Sequence, residues 1–282
     1  MKTSIIKYLA CPVCHSDFLL LIHQKTKERV IEGKLKCKRC HKSFYIKNAI
    51  ALFIPSGEKQ TKNLKKLRRI TLKQEIPKTW LKHFSKKEFA ALYKEWGWIL
   101  SSIKKGKNTI HLDFATGTGR FLRNIASKTK GEIVALEYNY PTCLELQYFL
   151  KRIKKHNRVS IVCADARKMP LKNGVFNSVS TWHGLDEPKM EKAIKEAKRV
   201  LKDGGYLVAS GIHYQKESKS FSRAKKHGIR FLTKEMIMKT LRDIGFSKIE
   251  HRTFFEGRWN EKGDYLPIFN DFYSTYAVRA KK

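Results

Sequence analysis

Two groups of residues in this 282-residue chain have types and spacings that could do chemistry. The first is four cysteines in two pairs, CPVC (Cys11, Cys14) and CKRC (Cys37, Cys40). Two C-x2-C knuckles set about 20 residues apart let four thiolates close a tetrahedron around zinc, leaving no open coordination position for catalysis. His15 and His41 follow the pairs, so each pair also spells C-x-x-C-H, the haem-attachment pattern. Two haems would require export and axial ligands, whereas FLLLIHQ, RVIEGKLKC and SFYIKNAIALFI read as short strands. Disulfides suit the spacing poorly in a reducing compartment. The expectation is a structural zinc with both histidines at the surface beside the knuckles. A module with so little core depends on its metal, whose binding contributes roughly 10–16 kcal/mol at neutral pH.

The second group starts at HLDFATGTGRF, residues 111–121. Apolar positions, an acid and two close glycines describe a strand that turns sharply into a helix and brings its backbone near a ligand. Leu122 stands where a G-x-G-x-x-G motif needs its third glycine, and no G-x-x-x-x-G-K-[ST] occurs, so neither a dinucleotide nor a triphosphate cradle is indicated. Two later acids narrow the ligand. Glu137 ends a strand in VALEYN, where it can accept from two vicinal ribose hydroxyls, each bond contributing on the order of 1.5–3 kcal/mol. Asp165 ends another in VCADARKMPL, where it can accept from an adenine amino group while the amide of Ala166 meets the ring nitrogen. Singly, each acid also suits a helix N-cap or a surface carboxylate. Together they fit an adenosine ligand without a pyrophosphate.

Alternating elements must hold these groups. TIHLDF is followed by a helix to about residue 129, EIVALEY, a helix from Pro141, VSIVCAD, VFNSVST, a helix over 187–202 and YLVASGI. Such alternation implies a parallel sheet with helices on both faces and ligands at the carboxyl ends of its strands. Ahead of it, residues 56–79 are polar and dense in Lys and Arg, with Leu64, Leu67 and Ile70 at helical spacing. Phe84, Phe89, Leu92, Tyr93, Trp96 and Ile99 then recur at intervals that predict one or two amphipathic helices. Tyr93, Trp96 and Trp98 serve there as a packed face or as a lid.

With these motifs in place, residues 5–55 resemble a Trm112-like zinc ribbon. Residues 106–255 resemble a class I S-adenosylmethionine-dependent methyltransferase near the UbiE or type 11 group. LDFATGTGR matches its first motif, with Ala115 in place of a glycine; ALEY matches the ribose-binding strand end. CADARKMPLKNGVFNSV matches the adenine segment and fourth strand, with Asn177 where Asp is frequent. EAKRVLKDGGYLVAS and FLTKEMIMKTLRDIGFSKIE match later elements. The resemblance implies an α/β, Rossmann-like, doubly wound sheet of seven strands behind a small zinc ribbon, divided as 1–55, 56–104 (basic connector and helices) and 105–282. It implies S-adenosylmethionine contacts from Asp113, Ala115, Thr116, Gly117, Gly119, Glu137, Tyr138, Asp165, Ala166 and Trp182.

Methyl transfer from a sulfonium needs orientation above all, with a base only where the acceptor carries a proton that must leave. At the end of the fourth strand, STWHGLDEP offers His183 as the base candidate and Trp182 as a stacking surface for acceptor or adenine, with Asp186 and Glu187 starting the next helix. No Asn-Pro-Pro-aromatic stretch of an exocyclic amine methylase is present there, and Cys143 and Cys163 read as packed thiols.

Sixty Lys+Arg against 25 Asp+Glu give a formal net charge of +35, which attracts polyanions. RNA, tRNA or rRNA, is the expected acceptor, held by ribbon, connector and the basic stretch 215–230. Two other readings stay open: a small-molecule methyltransferase, and a cofactor-holding scaffold whose ribbon binds a protein partner. The aromatics of FFEGRWNEKGDYLPIFNDFY are expected to pack near the last strands. No apolar run approaches the roughly 20 residues that span a bilayer, and no signal peptide is read, so the expected location is cytoplasmic.

Overall fold

A computed structural model of the protein describes residues 1–54, 85–262 and 265–282. The basic stretch 56–79 and Phe84 lie outside the described residues. A short helix α1 (Thr3–Ile6) precedes an antiparallel meander of β1 (Phe18–Lys25), β2 (Val30–Cys37), β3 (Ser43–Lys47) and β4 (Ile50–Leu52). The apolar run SFYIKNAIALFI is thus a hairpin. Asn48 and Ala49 turn it with φ of 52° and 61°, the left-handed pair that a two-residue loop needs to match strand twist.

Helix α2 (Lys86–Ser101) opens with a capping box: Glu88 N donates to Ser85 Oγ (3.2 Å) and Ser85 N to Glu88 Oε2 (2.6 Å). Its inward stripe is Ala91, Glu95 and Ile99. Strands and helices then alternate: β5 (Ile110–Phe114), α3 (Arg120–Lys128), β6 (Glu132–Glu137), α4 (Tyr140–Arg152), β7 (Val159–Cys163), β8 (Phe176–Thr181), α5 (Glu191–Val200) and β9 (Leu201–Tyr214). The basic stretch 215–230 forms α6 (Lys219–Lys226), capped by Ser218. Helix α7 (Lys234–Asp243), β10 (Ser247–Arg258) and β11 (Phe272–Lys281) complete the chain.

Strands β5 to β9 are mutually parallel, and β11 inserts antiparallel between β9 and β10, giving the order β7-β6-β5-β8-β9-β11-β10. Strands β5 to β8 are buried on both faces, as expected of central parallel strands. Along β6, Val134 and Leu136 join a core with α5 and α7, while Ile133 and Ala135 face α2, α3 and α4. The connection reverses direction at β5, whose neighbours are β6 and β8. That switch point opens a crevice at the carboxyl ends of the strands.

The cysteine-bearing meander continues this sheet. β4 pairs in parallel with β7 through Ile50↔Ile161, Ala51↔Val162 and Leu52↔Cys163, so eleven strands run in one sheet. The Arg29 guanidinium donates to the carbonyls of His156 (2.9 Å) and Val159 (3.1 Å), and Lys2 pairs with Glu132 at 2.6 Å. Among the described residues no helix is long and apolar enough to cross a membrane.

Candidate active site

The turn after β5 is built on left-handed backbone: Ala115 at φ 50°, Gly117 at 58° and Gly119 at 78°. A side chain at 117 would meet no atom, so glycine there serves conformation and the open approach to the cleft. Below the turn, the buried Asp113 carboxylate accepts from the Ser180 hydroxyl and stands 2.9 Å from Thr116 Oγ1. Burial pushes its pKa up to about 7 against the pull of those two bonds. His111 lies beneath, with Nδ1 2.8 Å from Ser178 Oγ and Nε2 2.9 Å from Ser180 Oγ. Burial holds the ring neutral, down to about 3.

Glu137 ties the turn to the next strand. Gly117 N donates to its Oε2 and Asn139 N to its Oε1, both at 2.9 Å. Asp165 enters the crevice already paired: Arg167 Nε lies 2.8 Å from Oδ1 and Nη2 2.8 Å from Oδ2. Burial opposes ionisation, but the Arg167 bonds and charge outweigh it and lower its pKa. An adenine amino group would share this carboxylate with Arg167. Ala115, Gly117, Glu137, Tyr138, Asp165 and Ala166 line one cleft of about 570 Å³, together with His183. Asp113, Thr116 and Gly119 are not among its walls. The first two brace the turn from behind, and Gly119 caps α3. Cys143 and Cys163 are buried, their thiols directed at the carbonyls of Glu137 and Tyr138.

A second cavity of about 270 Å³ adjoins α2 and the β10–β11 segment, and His183 lines this one too. His183 itself has left-handed backbone (φ 58°), and its amide donates to Ser210 Oγ at 3.3 Å. Its Nδ1 stands 3.0 Å from Asp186 Oδ2, while Ile212 N donates to Asp186 Oδ1 at 3.1 Å. Burial disfavours the imidazolium, yet the bond and charge of Asp186, helped by Glu95, raise the pKa above its ordinary value. Gly211 makes room for this pair, since a Cβ there would stand 2.8 Å from Asp186 Oδ1.

Trp182 lines this second cavity and not the first cleft. Its indole donates to Glu95 Oε1 at 3.0 Å and meets Trp96 edge-on at 5.5 Å, which holds it on this side. Trp96 therefore packs, and Tyr93 is exposed. Glu95 escaped the sequence reading, although an acid on the Ala91–Ile99 stripe of α2 was a usable signal. Phe255, Trp259 and Tyr273 also line the cavity instead of only packing at the strand ends.

In the N-terminal meander, the four sulfurs of Cys11, Cys14, Cys37 and Cys40 lie within 4.8 Å of one another. Cys11–Cys40 and Cys14–Cys37 are 3.6 and 3.4 Å apart, close to the edge of about 3.8 Å in a tetrahedron of 2.3 Å zinc–sulfur bonds. The donor set fits zinc. His15 and His41 are exposed and turn each knuckle with φ of 57° and 58°.

The sheet order and the glycine turn at its switch point define the class I methyltransferase fold. Residues 112–205 match the family model for a methyltransferase domain. The malonyl-[acyl-carrier protein] O-methyltransferase of Geobacter sulfurreducens is 28% identical over 158 residues, covering 49% of this chain and 56% of that protein. The ubiquinone/menaquinone biosynthesis C-methyltransferase UbiE of Photorhabdus laumondii is 31% identical over 111 residues, covering 38% and 43%. The chain thus spans about half the length of these relatives. Among solved structures, phosphoethanolamine N-methyltransferase 2 of Haemonchus contortus in complex with S-adenosyl-L-methionine superposes with a TM-score of 0.56 at 16% identity. The match covers 67% of this chain and 52% of that one, a likeness of fold.

Proposed function

We propose that this protein is an S-adenosylmethionine-dependent methyltransferase whose acceptor is a small, largely apolar molecule. The observation that carries this reading is the pair of chambers meeting at His183: a cleft with Glu137 and the glycine turn, and an aromatic cavity beside it. In this reading Glu137 accepts from the ribose hydroxyls, Ala115 and Gly117 leave room for close backbone approach, and Tyr138, Asp165 and Ala166 border the adenine. The cofactor supplies an electrophilic methyl group on a sulfonium. His183, held by Asp186, takes a proton from an acceptor that must lose one. Trp182 and its neighbours exclude water and orient the acceptor, so proximity supplies most of the acceleration. The four cysteines hold a structural zinc away from the chemistry. The named activities of the relatives, on a carrier-bound acyl group and on quinone precursors, support small-molecule chemistry more than RNA.

The net charge of +35 favours a second reading, in which a polyanion is methylated or bound. Incubation of the full chain with methyl-labelled S-adenosylmethionine and fractionated cell extract separates the two. Label is expected in the small-molecule fraction; label confined to RNA would overturn the small-molecule reading and select the other.

A further inference from the structure

The aromatic cavity contains a charge that methyl transfer by itself does not need. Glu95 is 1% exposed, on the buried stripe of α2, with its carboxylate bonded to the Trp182 indole and to Ser210. A glutamine would accept the same bond from Trp182. A carboxylate in apolar surroundings is costly unless a cation joins it. Around it stand the rings of Phe89, Trp182, Phe255, Trp259 and Tyr273, with Tyr273 5.4 Å from Trp259 and 5.6 Å from Phe255. Ring faces carry negative charge density and attract ammonium groups.

From this geometry we propose that the acceptor is an amine on an apolar body, bound as its ammonium among these rings with Glu95 as countercharge. The proposal rests on the methyltransferase reading and names its substrate class. The other charged or titratable groups lining the cavity are Glu88, His183 and Arg120. Glu88 takes the Tyr273 hydroxyl at 2.9 Å, and His183 Nδ1 is held 3.0 Å from Asp186 Oδ2. Arg120 is the one guanidinium among the lining residues. An anionic acceptor would meet the carboxylates of Glu88 and Glu95. Burial pushes Glu95 up to about 6, with the nearby His183 and then the Ser210 and Trp182 bonds resisting and Asp186 adding to the rise, so it is ionised at and above neutral pH.

The neutral His183 ring takes one proton from the bound ammonium, freeing the nitrogen lone pair. That pair forms the new N–C bond as the sulfonium S–C bond breaks and its electrons return to sulfur. The products are the methylated ammonium and neutral S-adenosylhomocysteine, and the His183 proton passes to solvent.

The test compares benzyltrimethylammonium, which cannot be methylated, with its uncharged isostere neopentylbenzene. Each is titrated into the full chain with and without S-adenosylhomocysteine, reading tryptophan fluorescence. The ammonium is expected to bind at least roughly tenfold more tightly. Glu95→Gln should cut that preference about tenfold while leaving S-adenosylhomocysteine affinity and melting temperature unchanged. Trp259→Leu should reduce the preference about threefold from the opposite wall, independently of Glu95. Equal binding of the two compounds, or equal weakening of both by Glu95→Gln, overturns the amine assignment. Failure to bind S-adenosylhomocysteine overturns the methyltransferase reading instead, and the comparison without it still judges the cavity.

Discussion

At Asp113 and His111, two opposite titrations meet beneath one turn. Asp113 is raised from the ordinary carboxyl range to about 7. Its contribution to stability is full below about pH 4 and is lost as pH climbs through its folded value. His111 is depressed to about 3, so its contribution is present above its ordinary value of 6.5 and is lost as pH falls. Between about pH 4 and 6.5 the two slopes offset each other. His213 and His251, depressed by burial to about 3 and about 4, act in the same sense as His111. Asp113→Asn removes only the falling limb. Its stability should therefore rise more steeply with pH over 4–7 than the wild type's, by about 1.4 kcal/mol per pH unit. Urea unfolding at a series of pH values measures this, and parallel curves would refute a buried, proton-holding Asp113.

At the scale of elements, the β4–β7 pairing matters most. It couples the cysteine module to β7, which ends two residues before Asp165: Phe53 N donates to the Cys163 carbonyl at 2.8 Å. Leu52, Phe53 and Tyr138 share the wall of a groove that also reaches Ala164 and Asp165. Stripping metal with a strong chelator, or replacing Cys37 with Ser, should then lower the melting temperature of the whole chain in one transition and weaken S-adenosylhomocysteine binding. Two separate transitions with unchanged binding would show that the module folds for itself.

The cleft that holds Gly117, Glu137 and Asp165 was legible as a cluster because each lies at or just past the end of a strand whose apolar run is plain. The acceptor half was not. Its cavity is assembled from α2, the end of β8 and the β10–β11 segment, and no local pattern brings Glu95, Trp182 and Trp259 together. Trp182 illustrates this: its neighbours in sequence place it at the end of β8, and Glu95, far away in the chain, holds it in the second cavity.

For the whole molecule, the parallel strands β5 to β9 were legible from the alternation of elements, because right-handed crossovers leave few ways to join them, while the count of seven strands rested on the family resemblance. The continuation into eleven strands was not, since nothing in IAL marks an edge strand that will pair with a distant parallel partner. The excess of 35 positive charges describes the surface as a whole and does not specify the acceptor. In the function proposed above, the turn at 115–119 and Glu137 hold S-adenosylmethionine. Calorimetric titration of the full chain with S-adenosylhomocysteine tests it most directly. Saturable binding at one site is predicted, weakened at least roughly tenfold in Glu137→Ala through loss of its charge-assisted bonds. No binding, or equal affinity in the variant, would contradict it.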